Sequence, residues 1–283
     1  MDLAAVFSLE VVGAIATLVL MSIGLAVVFG MMKIINLAHG EFMMLGGYVA
    51  ILATNRLGVP IWLSMLVLAP LVVGLFGVLV ERLLVRHLYG RMVDTMLATW
   101  GLSLALVGLA TMVFGNSTVG ISSPVPGFAI GSYQASGYTL VVIAVALAVL
   151  LGLWLLFRLT DLGLCARAAM QNAQMAAALG ANPGRIYTLT FGLGAALSGL
   201  GGAVLAPVTG IIPTIGASYI AKSFITVIGG GSAVITGSLA ASSLFGVVNQ
   251  VVTFLATPVF GEVALLAAAI VLIRVLPQGI TGR

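Results

Sequence analysis

Of 283 residues, 61% are hydrophobic and 6% charged, with eleven lysines and arginines against seven aspartates and glutamates. A water-soluble domain carries about 25% charged residues, so this composition, with a mean hydropathy of +1.27, excludes a soluble protein and leaves a surface that mostly faces lipid. The basic balance comes from scattered loop residues and points to no nucleic-acid surface, and the single Cys165 excludes both an intrachain disulfide and a cysteine metal site.

Apolar runs bounded by charged or turn residues predict an all-α, polytopic transmembrane bundle forming one domain over residues 1–283. About nine spans are expected, eight being the alternative, near 10–31, 36–54, 60–80, 92–115, 138–157, 187–209, 218–229, 235–256 and 261–276. No basic segment with a cleavage site precedes the first run, so Asp2 and Glu10 are expected to lead into a retained span. The second and seventh runs are short and rich in glycine, as re-entrant or broken helices are. Residues 116–137 carry no charge but are too rich in Gly, Pro and Ser for a lipid-facing helix, which predicts an external loop. The orientation follows from the excess of positive charge in cytoplasmic loops. Placing Lys33, Arg82, Arg86, Arg91, Arg158, Arg167, Arg185, Arg274 and Arg283 inside leaves only Arg56 in an external loop and Lys222 within or near a span, with the N-terminus out and the C-terminus in. Such an arrangement needs an odd number of crossings.

Three stretches carry the polar chemistry. The first runs from Lys33 through Asn36 and His39 to Glu41. Charged groups near a helix centre cost about 2.5–3.5 kcal/mol each, so they are expected to pair or to face a cavity. The stretch reads either as the mouth of a polar pathway, with Asn36 capping a helix, or as an interfacial turn whose charges reach water. The second, residues 161–185, is alanine-rich up to Gly180, which suits the left-handed residue beyond a helix end. Asn182 and Pro183 then suit the cap and first turn of the next helix. A small-residue helix between two spans fits docking into a groove of a cytoplasmic partner; an ordinary interhelical loop is the alternative. The third runs from Ser218 through Lys222 to Gly229, Gly230, Gly231 and Gly237. Its glycines could expose backbone along a cavity or form a plain turn, and Lys222 could face the pathway or snorkel outward. Thr99, Trp100 and Ser103 in the fourth span, and Asn249 and Gln250 in the eighth, add polar groups at depth. A faint echo between residues 33–50 and 219–240 hints at two related halves.

Absences narrow the function further. The sequence has no GxxxxGK[ST] loop for ATP, no HExxH and no cysteine cluster. Only Glu41 and Glu262 bring acid near a span, fewer than a proton- or sodium-coupled carrier would be expected to show. No nucleophile and base are paired at depth, which argues against an intramembrane enzyme.

Residues Ile35 to Tyr48, INLAHGEFMMLGGY, resemble the signature of permease subunits in branched-chain amino acid and urea/amide ABC importers. Met175 to Gly180, followed by Thr190, Phe191 and Gly192, resembles their coupling segment. The 218–237 stretch resembles their glycine-rich segment, with Ala233 where a glycine is usual. The similarity extends over nearly the whole chain. Residues 81–91 and 97–104, and Ser218 with Ser223 and Phe224, lean toward the urea-type member, whereas Lys222 resembles the amino-acid type. The resemblance implies a second permease subunit, identical or a paralogue, two cytoplasmic ATPases holding ATP and magnesium, and an external solute-binding protein. This chain would bind no cofactor itself and would sit, multi-pass, in a bacterial-type cytoplasmic membrane. Arg167, Ala177, Gly180, Pro183 and Arg185 would form the ATPase contact. Asn36, His39, Glu41, Thr99, Trp100, Ser103, Lys222 and Asn249 would line the pathway of a small neutral or zwitterionic solute. A stand-alone channel or secondary carrier is the competing reading.

Overall fold

The computed structural model describes residues 2–282; Arg283, placed inside above, lies outside them. The described chain is a helical bundle with one short hairpin. Its first helices are α1 (Asp2–Met32), α2 (His39–Asn55), α3 (Ile61–Leu83) and α4 (Met92–Phe114). After the hairpin, β1 (Phe128–Ile130) and β2 (Tyr133–Ala135), come α5 (Gly137–Leu159) and two short helices, α6 (Asp161–Gln171) and α7 (Ala173–Ala178). The chain ends with α8 (Pro183–Thr209), α9 (Gly216–Gly230), α10 (Val234–Leu255) and α11 (Pro258–Val275).

Seven of these, α1, α3, α4, α5, α8, α10 and α11, are long and apolar enough to cross a membrane. The second and seventh predicted spans instead appear as α2 and α9, of 17 and 15 residues. Each follows a non-helical stretch, 33–38 and 210–215. The break after α1 is set by Lys33, whose φ of 55° and amide bond to the Phe29 carbonyl end the helix through a left-handed residue. The predicted cap at Asn36 is corrected: α2 begins at His39 with Ala38 as its cap, and the Asn36 side chain instead accepts from the Ala38 amide at 3.0 Å. The third predicted span contains a π turn, Ser64–Leu68, just before Pro70, whose missing N–H and bulky ring disrupt the regular ladder. The predicted external loop holds the hairpin, which turns at Gly131, and its Val119 bridges to Ile211 after α8.

The centre of the bundle is the antiparallel crossing of α1 and α8, the two most buried of the seven long apolar helices. Gly24 meets Gly194 and Ser198, while Leu20 meets Gly201, so small residues let the backbones approach. On the flanks α8 packs on α3 and α1 packs on α10. The order long helix, break, short helix, flanking helix, outer helix thus occurs twice, in α1–α4 and α8–α11. Because α1 and α8 run in opposite senses, the second unit is inverted relative to the first, an arrangement found in membrane transporters. The echo noted in the sequence paired the wrong residues: the counterpart of 33–55 is 210–230. The two short helices meet at their N-termini, where Gly40 packs directly on the backbone of Gly216.

Charge is segregated along the bundle axis. Arg86 reaches Thr188, Met31 touches Thr190, and Thr281 bonds to the Gly230 carbonyl. Together these contacts gather the ends of α1, α3, α9 and α11 and the start of α8 at one end of the bundle. That end carries Lys33, Arg82, Arg86, Arg91, Arg158, Arg167, Arg185 and Arg274, whereas the opposite end, with the hairpin and Asp2, carries Arg56.

Candidate functional site

The first group of predicted site residues forms a knot at the junction of both inverted units. His39 is 1% exposed and Glu41 and Asn36 are 3% exposed. The Nε2 of His39 lies 2.8 Å from the Met21 carbonyl, which can only accept, so Nε2 carries the proton. Nδ1 is then free to accept from the Ser198 hydroxyl at 3.0 Å, a proton Ser198 can also give to the Gly194 carbonyl at 2.7 Å. Ser223 of α9 can donate to the same Met21 carbonyl at 2.7 Å, or to the Tyr219 carbonyl of its own helix at 2.7 Å. One imidazole therefore ties α2 to α1 and α8, and α9 joins through the shared carbonyl. Beside it the Leu37 amide donates to the Thr99 hydroxyl at 3.1 Å, fixing the 33–38 stretch against α4. Glu41 sits where the N-termini of α2 and α9 meet, close to Gly216 and Ser103, with its Oε2 unpartnered and buried. Two helix N-termini at a buried carboxylate offer it positive potential.

Trp100 is elsewhere. It is 54% exposed on the outer side of α4, next to exposed Leu97 and Leu104, while Ser103 is half-buried toward Glu41. Only 17% of the apolar stretch of α4 is buried, so this helix has most of its surface uncovered by the rest of the chain.

Lys222 and Asn249 define a third place. Two adjacent pockets that share Ala14 and Thr17 form a cleft along α1, one part bounded by α5, α8 and α10 and the other by α9, α10 and α11. Its outer part, about 190 Å³, includes Glu10, Thr209 and Gln250; its deeper part, about 160 Å³, includes Lys222 and Asn249. Lys222 pairs with Glu262 of α11 at 2.6 Å. The eight predicted pathway residues are thus split between a buried knot, an exposed helix face and a cleft.

The predicted coupling segment lies at the basic end. The alanine-rich run does not form one helix to Gly180 but breaks at Asn172, whose extended backbone and side-chain bond to the Met175 amide, 2.9 Å, start α7 afresh. An asparagine can cap its own backbone where alanines cannot, which outweighs the helix propensity around it. The other local expectations hold. Gly180 has φ of 92°, and Asn182 caps α8 through the Arg185 amide at 3.1 Å, with Pro183 in the first turn. Arg167 donates to the Phe157 carbonyl, and Arg167, Ala177 and Arg185 are exposed.

A charged cluster beside this segment was not singled out in the sequence. Glu81, fully buried at the end of α3, accepts from the Tyr89 hydroxyl and lies 3.7 Å from Arg86, which also reaches Thr188 of α8. Burial, then the bond to and charge of Glu81, hold the Tyr89 phenol well above its ordinary pKa, so it remains a donor. The other oxygen of Glu81 is already unpartnered. Tyr89→Phe is therefore expected to destabilise the chain by about 1–3 kcal/mol, the cost of orphaning a buried acceptor. Thermal unfolding in detergent checks this; an unchanged midpoint would mean that Glu81 has found another donor.

Interrupted helices in two inverted units, with a lysine lining a cleft and paired to a glutamate beside it, are features of membrane transport proteins. The chain belongs to the family of branched-chain amino acid transport system permease components, whose profile matches residues 7–276. It is 29% identical over 95% of its length to the high-affinity branched-chain amino acid transport system permease protein LivH of Salmonella typhimurium, covering 92% of that protein. The same values hold for BraD of Pseudomonas aeruginosa, a permease protein of the same description. A probable branched-chain amino acid transport permease, LivH of Methanocaldococcus jannaschii, is also 29% identical, over 94% of this chain and 88% of its own. No solved structure matches. These relatives are named for amino acids; none is named for urea, toward which two sequence stretches leaned.

Proposed function

We propose that this chain is a translocating subunit of an ATP-driven importer of branched-chain or similar amino acids in the cytoplasmic membrane. The observation that carries this reading is the exposed, separately capped helix pair α6–α7 at the basic end of a bundle whose family is one of transport permeases. With that basic end in the cytoplasm, the two broken segments count as crossings, giving nine, with the N-terminus out. The chain holds no ATP site of its own; two cytoplasmic ATPases would grip α6–α7, with Arg167 and Arg185 flanking them and Ala177, Gly180 and Pro183 shaping the turn. The exposed face of α4 around Trp100 would meet a second permease subunit. The hairpin end would receive a binding protein, and Lys222 and Asn249 would face the solute. Asn36, His39, Glu41, Thr99 and Ser103 would form the hinge on which the two units rock.

The test is uptake of labelled leucine and urea by cells carrying the chain with and without partner ATPase and binding-protein genes. Leucine uptake that needs the full set and stops with an ATPase-inactive partner is the expected result. Solute equilibrating through the chain alone would make it a channel or carrier.

A further inference from the structure

The Lys222–Glu262 pair is not hidden as a structural ion pair would be. The two side chains are 27% and 59% exposed, on helices whose other exposed residues include Ile228, Val259, Phe260 and Val263. A carboxylate that open among such neighbours is costly against hydrocarbon, so at this depth it belongs to a cavity. The deeper part of the cleft lies beside it: Lys222 lines that cavity, and Glu262, outside the lining, reaches it through the 2.6 Å pair. Its volume of about 160 Å³ is well below the roughly 300–1,000 Å³ of drug-sized sites, and suits one small solute. Leu18, Met21 and Leu265 give this part of the cleft an apolar wall, and Asn249 adds one neutral polar group.

We infer that Lys222 and Glu262 form a charge clamp for the α-carboxylate and α-ammonium of a free amino acid, whose aliphatic side chain lies on Leu18, Met21 and Leu265. The inference deepens the importer reading and rests on it. Its logic is one of charge balance. Lys222 has three donors and spends one on Glu262. A zwitterion opens that pair and replaces it with two, leaving no charge unpaired. A carboxylate alone would strand Glu262, an amine alone would strand Lys222, and urea could separate the pair only by leaving both charges short of a counter-ion. Stranding a charge away from water is costly, so the clamp selects by what it rejects.

The experiment uses the complete importer in vesicles of phosphatidylglycerol, whose headgroup carries no ammonium to occupy the clamp. The chain carries Ala14→Cys in the cleft and Cys165→Ser, and a methanethiosulfonate reagent reports access. Leucine is expected to slow the modification, and isocaproate, isoamylamine and urea are not. Lys222→Met or Glu262→Gln should raise the leucine concentration for half-protection by about tenfold or more, as losing a charged hydrogen bond does, with Lys222→Arg retaining most protection. Each variant is compared only if it co-purifies with its ATPases. Leucine import without protection would remove the clamp and leave the importer reading standing. Wild-type import by the Lys222→Met/Glu262→Leu chain would reduce the pair to a strut. Import of urea and not leucine would overturn both the clamp and the amino-acid reading.

Discussion

The Gly40→Val chain is expected not to accumulate in the membrane as a folded protein. A Cβ at position 40 would lie against the carbonyl oxygen of Gly216, and 2.6 Å and 2.9 Å from its carbonyl carbon and Cα. All three are backbone atoms, which cannot rotate aside as a side chain can. Overpacking typically costs about 1–3 kcal/mol, occasionally more, and here relief requires parting α2 from α9, so the cost falls at or above the top of that range. Gly101→Val on the open side of α4 is the matched control, since a Cβ there meets nothing within 4 Å. Fluorescence-detected size exclusion of both variants in detergent decides the matter. A monodisperse Gly40→Val peak of wild-type height would show that the two helix ends do not touch.

His39→Ala should lower stability by about 2–4 kcal/mol, combining the cavity left by a large buried side chain with the loss of two buried hydrogen bonds. The partners it leaves are not wholly orphaned. Met21 can still accept from Ser223, and Ser198 can give its proton to Gly194. The His39→Ala/Ser198→Ala double variant should therefore lose less than the sum of the singles, by about 0.5 kcal/mol or more, because contacting residues do not add. Unfolding midpoints of the four proteins complete the cycle. Strict additivity would mean that His39 and Ser198 do not bond.

Local features were legible in the sequence because their causes are local. The lipid-facing spans, the charge-free loop, the left-handed Gly180 and the Asn182–Pro183 start of α8 are each dictated by a few adjacent residues. The break at Asn172 was missed because the alanines around it argue for a continuous helix, and one asparagine's capping bond decides otherwise. The knot was half legible. His39 and Glu41 stood out as polar groups at depth, but nothing in the chain announces that a histidine will bond to a serine 159 positions away, or that α9 will share the Met21 carbonyl from 202 positions away. The same holds for Glu262, noticed only as an acid near a span until α11 brought it to Lys222.

The inverted pairing of the two units also has a consequence for biosynthesis. Helix α1 emerges first from the ribosome, yet apart from α5 its main neighbours, α8, α10 and α9, are made in the last third of the chain. Until then His39, Ser22 and the Gly24 surface, all buried in the finished protein, await partners not yet made. Loop closure over so much chain is slow, and incomplete assemblies of this kind are prone to mispair. The early helices can pair only in part, α1 with α5 and α2 with α3, so that completion of the core follows synthesis of the last third of the chain.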